Sequence, residues 1–231
     1  MAIKDNLEYV LKQIDVAAKK SGRSSDDITL VAVTKTHEPY EINEIIDAGA
    51  TIIGENYVQE ITQKYDEIKP VKWLFLGHLQ TNKVKYIIDK VDMICSVESL
   101  KLANEIDKRA SAHDLKMDIL LQVNITDEET KFGLNPDSVK NLALEIYKSC
   151  ENINIRGLMY IAPFEFDVNE TRPYFRRAKE LFDSLKSIEN DRISMDYLSM
   201  GMSNDYEVAI EEGSNMVRVG TALFGAREYS L

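Results

Sequence analysis

The stretch Ile28-Thr-Leu-Val-Ala-Val-Thr-Lys35, followed by Ile42, Ile45 and Ile46 and then by Gly49-Ala-Thr-Ile-Ile-Gly54, decides how the chain is read. Ile28–Val33 is a short, β-branched apolar run, which predicts a buried strand. The three isoleucines at i, i+3 and i+4 mark one helix face, and Gly49 suits the C-terminal end of that helix. Thr51–Ile53 then opens a second strand. Strand, amphipathic helix, strand, with no hairpin turn between, is the repeating unit of a parallel sheet.

Working outward, the unit recurs along the whole chain. Val58, Ile61, Tyr65 and Ile68 have helical spacing, Trp73–Leu76 reads as a third strand, and Val84, Ile87 and Ile88 mark the helix after it. Met93–Val97 is a fourth strand before a helix over Leu100–Ala112. Asp118–Val123 is a fifth, and Asn135-Pro136-Asp137 opens a helix carrying Val139, Leu142, Ala143 and Ile146, with proline near the start where it is tolerated. Ile153–Ile161 is a sixth, followed by Phe175, Ala178, Leu181, Phe182 and Leu185 on one helix. Tyr197–Met200 is a short seventh, Tyr206–Glu212 a short helix, and Met216–Phe224 an eighth. With a leading amphipathic helix on Ile3, Leu7, Val10, Leu11 and Ile14, the pattern predicts an α/β fold: a single (β/α)8 TIM-type barrel with an extra N-terminal helix, residues 1–231 forming one domain. An open doubly wound sheet is the alternative, weakened by the lack of a G-x-G-x-x-G after the first strand.

Composition narrows the function. A chain of 231 residues, 44% hydrophobic, can bury a large core. The formal net charge of −11 argues against nucleic acid and anionic membrane as partners, so an anionic ligand would need local donors. Cys95 and Cys150 form no C-x-x-C, which offers neither a metal site nor a disulfide framework. Met1–Val10 shows no signal-peptide core, and no apolar stretch approaches the roughly 20 residues of a membrane span. A soluble, cytoplasmic protein is expected.

In a barrel, chemistry gathers where strands end and the following loops begin. The first strand ends in Lys35. A lysine there is either a solvated strand terminus or a partly desolvated amine, whose lowered proton affinity frees it to condense with an aldehyde. The second strand gives Gly54-Glu55-Asn56-Tyr57 and the third Gly77-His78-Leu79-Gln80. Gln122 and Asn124 lie on one face of the fifth strand by its period of two. Such amides are commonly caps and turn formers, and His78 reads as a base, a stacking partner or a hydrogen-bonded structural residue.

The end of the chain is more specific. Met200-Gly-Met-Ser-Asn-Asp205 follows the seventh strand, and Val217-Arg-Val-Gly-Thr221 occupies the eighth and its exit. Glycine, serine and threonine at such exits supply backbone N–H groups and hydroxyls without bulk, as a phosphate requires, at the two places where barrels commonly hold one. Ordinary turns with Ser203 as a helix cap are the alternative. Alternation sends Arg218 to the face opposite Val217 and Val219, either toward a ligand or into a salt bridge. Arg176-Arg-Ala-Lys179 shares its helix with Glu180 and Asp183 and reads as a solvated face.

Together these segments resemble the pyridoxal phosphate homeostasis protein family, whose barrel is shared with the N-terminal domain of alanine racemase. The resemblance is carried by Val31-Ala-Val-Thr-Lys35, Gly54-Glu-Asn-Tyr-Val-Gln-Glu60, Leu76-Gly-His-Leu-Gln-Thr-Asn-Lys83, Lys131-Phe-Gly133, Gly157-Leu-Met159, Ser199-Met-Gly-Met-Ser-Asn-Asp205 and Arg218-Val-Gly-Thr-Ala-Leu-Phe-Gly225. It implies that Lys35 holds pyridoxal 5′-phosphate (PLP) as an internal aldimine. It further implies that Met202, Ser203, Gly220 and Thr221 hold the phosphate, that Arg218 faces the pyridine nitrogen, and that Asn56 and His78 lie near the ring. The implied function is a non-catalytic PLP carrier contributing to vitamin B6 homeostasis, with delivery to apo-enzymes and a monomeric state as further expectations.

Two other functions share these features. One is a PLP-dependent amino-acid racemase; the other is a Schiff-base aldolase for a phosphorylated sugar. Two-base racemisation needs a second acid/base across the ring, which in alanine racemase comes from the partner subunit's additional domain. The sequence given ends at Leu231, directly after the eighth unit, which favours the carrier.

Overall fold

The computed structural model describes residues 2–126, 132–163, 165 and 167–225. Among them the sheet is a closed barrel of eight parallel strands in sequence order, sealed by pairing of the eighth strand with the first. The strands are β1 (Thr29–Val33), β2 (Ile52–Glu55), β3 (Lys72–Phe75), β4 (Met93–Val97), β5 (Met117–Val123), β6 (Ile153–Tyr160), β7 (Ile193–Ser199) and β8 (Met216–Val219). Around them run α1 (Ile3–Lys20), α2 (Pro39–Asp47), α3 (Val58–Lys64), α4 (Leu100–Ala112), α5 (Pro136–Ser149), α6 (Arg172–Leu185), α7 (Tyr206–Glu211) and α8 (Thr221–Phe224). No described helix is long and apolar enough to cross a membrane.

The period of two sorts the strand side chains into two cores. Val31, Leu74, Leu76, Met93, Cys95, Leu120, Met159 and Met216 fill the barrel interior. Their neighbours in sequence, such as Ala32, Phe75, Ile94 and Val217, face the helices and join the larger outer core. The α1 helix lies over α2, α7 and α8 through Leu7, Val10, Ile14, Ala17 and Ala18, and the Asn6 amide donates to the Leu223 carbonyl at 2.8 Å. Leu11, which the helical pattern assigns to the same face, points to solvent.

Three elements differ from their sequence expectation. The segment carrying Val84, Ile87 and Ile88 buries all three, yet it winds as a 3-10 helix over Thr81–Tyr86 rather than an α-helix. β7 begins earlier, at Ile193, because Ile193 and Met195 are buried in the outer core while Ser194 and Asp196 alternate with them and are more exposed. β8 stops at Val219. Beyond it, Leu223 N–H and Phe224 N–H donate back to the Gly220 carbonyl, forming α8 where the apolar run reads as more strand. Leu223 is buried there against α1, so its apolarity reflects packing on a helix and not extension of the sheet.

Two cations of the basic run on α6 are paired with acids. Arg176 of that run pairs with Glu212 and Lys179 with Asp183 four residues on, and Arg172 just before it also pairs with Glu212. This agrees with a solvated, paired helix face.

Candidate functional site

The parallel strands all end at one mouth of the barrel, so their exits converge there. A cavity of about 340 Å³ opens at this mouth, a size that suits a small ligand. Seven of the eight sequence-predicted site residues line it: Lys35, Asn56, Met202, Ser203, Arg218, Gly220 and Thr221.

Lys35 follows β1 by two residues and is half-buried. The loop that carries it is tightly held. Thr34 N–H donates to the Gly54 carbonyl at 2.9 Å, and His37 N–H closes back on the Thr34 carbonyl at 3.1 Å. Between them Thr36 adopts φ 68°, a left-handed conformation that is strained for a β-branched residue. The His37 ring stacks on Phe224 with centroids 4.2 Å apart, which ties the lysine loop to α8.

Arg218 occupies the floor of the cavity. Its neighbours Val217 and Val219 face the helices, so alternation turns the guanidinium into the barrel, where it is 4% exposed. It donates to Ser199 Oγ at 2.7 Å and to the Tyr160 carbonyl at 3.0 Å. Burial pushes its pKa down to about 10, partly opposed by Asp205, so it stays cationic at neutral pH. The same desolvation lifts the nearby Cys95 thiol to about 12, which leaves that cysteine an uncharged packing residue.

The exits of β7 and β8 are linked through Ser203. Its Oγ accepts from the Gly220 N–H at 3.1 Å and the Ala222 N–H at 3.3 Å. It therefore serves the start of α8, across the loop, and not α7, which follows it in sequence. The backbone around it is set by Asp205, whose carboxylate accepts the Met202 N–H at 2.6 Å. Burial raises the Asp205 pKa, and the Met202 N–H and Arg218 oppose the shift. Gly201 makes the turn possible. It has φ 95°, and a Cβ there would lie 2.6 Å from that of Ala209.

Asn56 and His78 sit where β2 and β3 leave the barrel. Gly77 brings the two exits together: a Cβ on it would stand 2.0 Å from the Asn56 carbonyl oxygen. His78 does not line the main cavity. It borders a smaller recess shared with Asn56, with Nδ1 3.3 Å from a Glu98 carboxylate oxygen and its ring stacked on Phe132 at 4.2 Å. Gln122 Nε2 donates to the Phe132 carbonyl at 3.3 Å, and Asn124 accepts from Thr126. Lys131 of the Lys-Phe-Gly stretch lies outside the described residues.

Glu165, Asp205, Leu76 and Met159 also line the cavity, and spacing gives no chemical role to any of them. Ser199 is different. It shares the phase of Tyr197 and alternates with Leu198 and Met200 of the outer core, which places it inside the barrel, where Arg218 reaches it. Among the described residues no group of three histidine, cysteine or acidic side chains could hold a metal ion. Among the described residues the cavity offers an amine, a buried cation, and the hydroxyls of Ser203 and Thr221 beside Gly220. That donor set suits an anionic, carbonyl-bearing small molecule.

Comparison with known proteins gives a consistent result. Residues 6–228 match the alanine racemase N-terminal domain family. The pyridoxal phosphate homeostasis protein of Aquifex aeolicus is 43% identical over 227 residues, covering 97% of this chain and 98% of that protein. Its Escherichia coli K12 counterpart is 36% identical, covering 99% and 98% respectively. Among solved structures, PipY of Synechococcus elongatus with PLP bound is 32% identical with a TM-score of 0.84, covering 96% of this chain and 100% of that one. Alanine racemase of Clostridium difficile shares the fold, with a TM-score of 0.75 at 19% identity over 58% of its own length. Similarity at this level runs the length of both partners in the homeostasis proteins, and the chain belongs to the pyridoxal phosphate homeostasis protein family, on the barrel fold of the alanine racemase N-terminal domain.

Proposed function

We propose that this protein holds pyridoxal 5′-phosphate in the mouth of the barrel, with Lys35 as covalent anchor, and serves PLP homeostasis without turning over a substrate. The observation that carries this reading is the meeting of Lys35, Arg218 and the Ser203–Gly220 pair in one cavity of about 340 Å³. PipY, described with PLP bound, supports the choice of cofactor.

The residues fit that group by charge and by chemistry. Bound PLP supplies an aldehyde that condenses reversibly with an amine. Lys35 is the amine lining the cavity. The hydroxyls of Ser203 and Thr221 are donors for a phosphate lying over Gly220, with Met202 contributing backbone, and the Gly220 and Ala222 N–H groups hold Ser203 Oγ in place. Local donors of this kind overcome the repulsion expected from a net charge of −11. Asn56 lines the same space, and His78 orders the adjoining exits.

Arg218 favours holding over catalysis, although an arginine at this place is also compatible with racemase chemistry and does not decide the matter alone. Its cation disfavours protonation of a nearby pyridine nitrogen and offers that nitrogen a hydrogen bond in its neutral form. A neutral ring is a weak electron sink, which suits storage better than carbanion chemistry. The titratable groups among the described lining residues are Lys35, Glu165, Asp205 and Arg218, with no tyrosine or histidine. Asp205 is engaged by the Met202 N–H, so Glu165 is the carboxylate left to test as a second base.

The test uses purified protein and PLP. Borohydride reduction is expected to leave a pyridoxyl group on the peptide carrying Lys35, and label on another lysine overturns the anchor. Amino acids added in deuterated solvent are expected to show no α-proton exchange above the rate of free PLP. Stereospecific exchange at enzyme-like rates would establish a racemase instead. Lys35→Ala is expected to abolish the borohydride adduct while keeping part of the noncovalent affinity.

A further inference from the structure

Lys35 sits between two residues that are each gripped by a carboxylate from behind. Thr34 Oγ1 donates to Glu55 Oε2 at 3.1 Å, and Thr36 N–H donates to Glu60 Oε2 at 2.7 Å. Both acids come from the exit of β2 and the start of α3, the Gly54–Glu60 stretch. Glu55 is fully buried, and its second oxygen accepts the Asn56 N–H at 3.0 Å. Lys64 closes the group: its ammonium pairs with Glu60 and lies 3.7 Å from Glu55.

None of these three side chains lines the ligand cavity. A buried carboxylate is costly, and its retention calls for a reason beyond packing. The cost is visible in Glu55, whose pKa burial and Glu60 together raise to about 7 despite Lys64. The arrangement also explains how Thr36 persists at φ 68°, since its N–H is fixed on Glu60 while Thr34 is fixed on Glu55. With both flanking residues immobilised, the direction in which the Lys35 side chain leaves the backbone is set.

We propose that Glu55 and Glu60, bridged by Lys64, are positioning residues that aim Lys35 at the aldehyde of the bound cofactor. The pair acts on the lysine loop and makes no contact with the ligand. The inference rests on the reading of Lys35 as the capturing amine. It implies that weakening the brace slows covalent capture while the noncovalent site stays intact, because the phosphate donors and Arg218 belong to other strands.

The experiment compares wild type, Glu60→Ala, Glu60→Gln and Thr34→Val. The rate at which PLP becomes borohydride-fixed on Lys35 is one readout. Affinity for pyridoxine 5′-phosphate, which has the ring and phosphate but no aldehyde, is the other. Glu60→Ala is expected to slow capture at least about tenfold, since small misplacements of a reacting group carry penalties of this size. Its affinity for pyridoxine 5′-phosphate should stay within about twofold of wild type, the change expected when no contact to the ligand is lost. Glu60→Gln retains an oxygen for the Thr36 N–H and should recover most of the rate. Thr34→Val, which removes only the hydroxyl held by Glu55, should slow capture in the same direction and remains informative where Glu60→Ala does not fold. Capture at the wild-type rate in both Glu60→Ala and Thr34→Val overturns the brace. So does an equal loss of pyridoxine 5′-phosphate affinity, or failure of glutamine to rescue. Wild type that leaves no pyridoxyl group on Lys35 overturns the anchor reading itself, and the brace with it.

Discussion

Ser203 Oγ accepts the backbone N–H of Gly220 at 3.1 Å, joining the exit of β7 to the start of α8 across 17 residues of chain. With the Arg218 N–H, which donates to the Gly201 carbonyl at 3.0 Å, this hydroxyl ties together the two loops proposed to hold the phosphate. Ser203→Ala is expected to weaken PLP retention roughly tenfold to a hundredfold, in line with about 1.5–3 kcal/mol for hydrogen bonds to a charged group. Thr221→Val should weaken it in the same direction. Fluorescence titration checks both, and unchanged affinity in the two variants would remove the phosphate assignment from these loops.

Arg218 is buried with defined acceptors in Ser199 and the Tyr160 carbonyl, so its replacement has opposing effects. Arg218→Met removes a desolvated cation, which stabilises, and takes a donor from two buried acceptors, about 1–3 kcal/mol each in the other direction. Thermal stability is therefore expected to shift by only a few degrees, while PLP affinity falls at least about tenfold, or about 1.4 kcal/mol. Calorimetry and titration on the same preparation separate the two. A large drop in Tm with unchanged affinity would make Arg218 a structural residue alone.

Glu55 gives a pH-dependent stability of known sign. Its folded pKa of about 7 lies above the ordinary 4.5, because burial and Glu60 outweigh Lys64, the Asn56 N–H and the Thr34 hydroxyl. The folded protein thus holds this proton more tightly than the unfolded chain does. The resulting penalty is absent below about pH 4.5, grows as pH rises, and is complete above about 7. Glu55→Gln carries no such penalty, so its stability relative to wild type should increase between pH 5 and pH 8. Melting curves of the two proteins across that range decide it; a constant difference would mean that Glu55 does not titrate there.

Gly77 tests how closely the exits of β2 and β3 must approach. A Cβ there would stand 2.0 Å from the Asn56 carbonyl oxygen, a backbone atom that cannot swing aside. Gly77→Ala is expected to cost about 3 kcal/mol, the upper range for overpacking, and to lower Tm by roughly 6–12 °C. An unchanged Tm would show that the two exits have slack.

The barrel was legible along the chain because each strand and helix announces itself locally, by β-branched runs and by apolar residues at helical spacing. Met93–Val97 and Leu100–Ala112 occur at the bounds their patterns indicate. The exceptions are informative. Ala222-Leu-Phe224 is apolar enough to read as strand, and only the covering helix α1 shows that it packs as a helical turn. Lys35, Ser203 and Arg218 were legible as types of residue at strand exits, since any parallel barrel brings those exits to one mouth.

Their partnerships were not. That Arg218 turns inward follows from alternation, but its hydrogen bonds to Ser199 and Tyr160 depend on how three strands close in space. The Glu98 and Phe132 neighbours of His78, in a recess it shares with Asn56, could not be read from its motif. Glu55 and Glu60 look in sequence like two of many surface acids, and only the folded packing of β1 against β2 sets them behind Thr34 and Thr36. The sequence by itself determined the repeating unit and the kinds of group at the strand exits, since those follow from local periodicity, while closure of the sheet rests on the pairing of β8 with β1. Tertiary structure alone decided which of those groups share a cavity and which buried charges stand behind them, because such contacts join residues that no spacing rule relates.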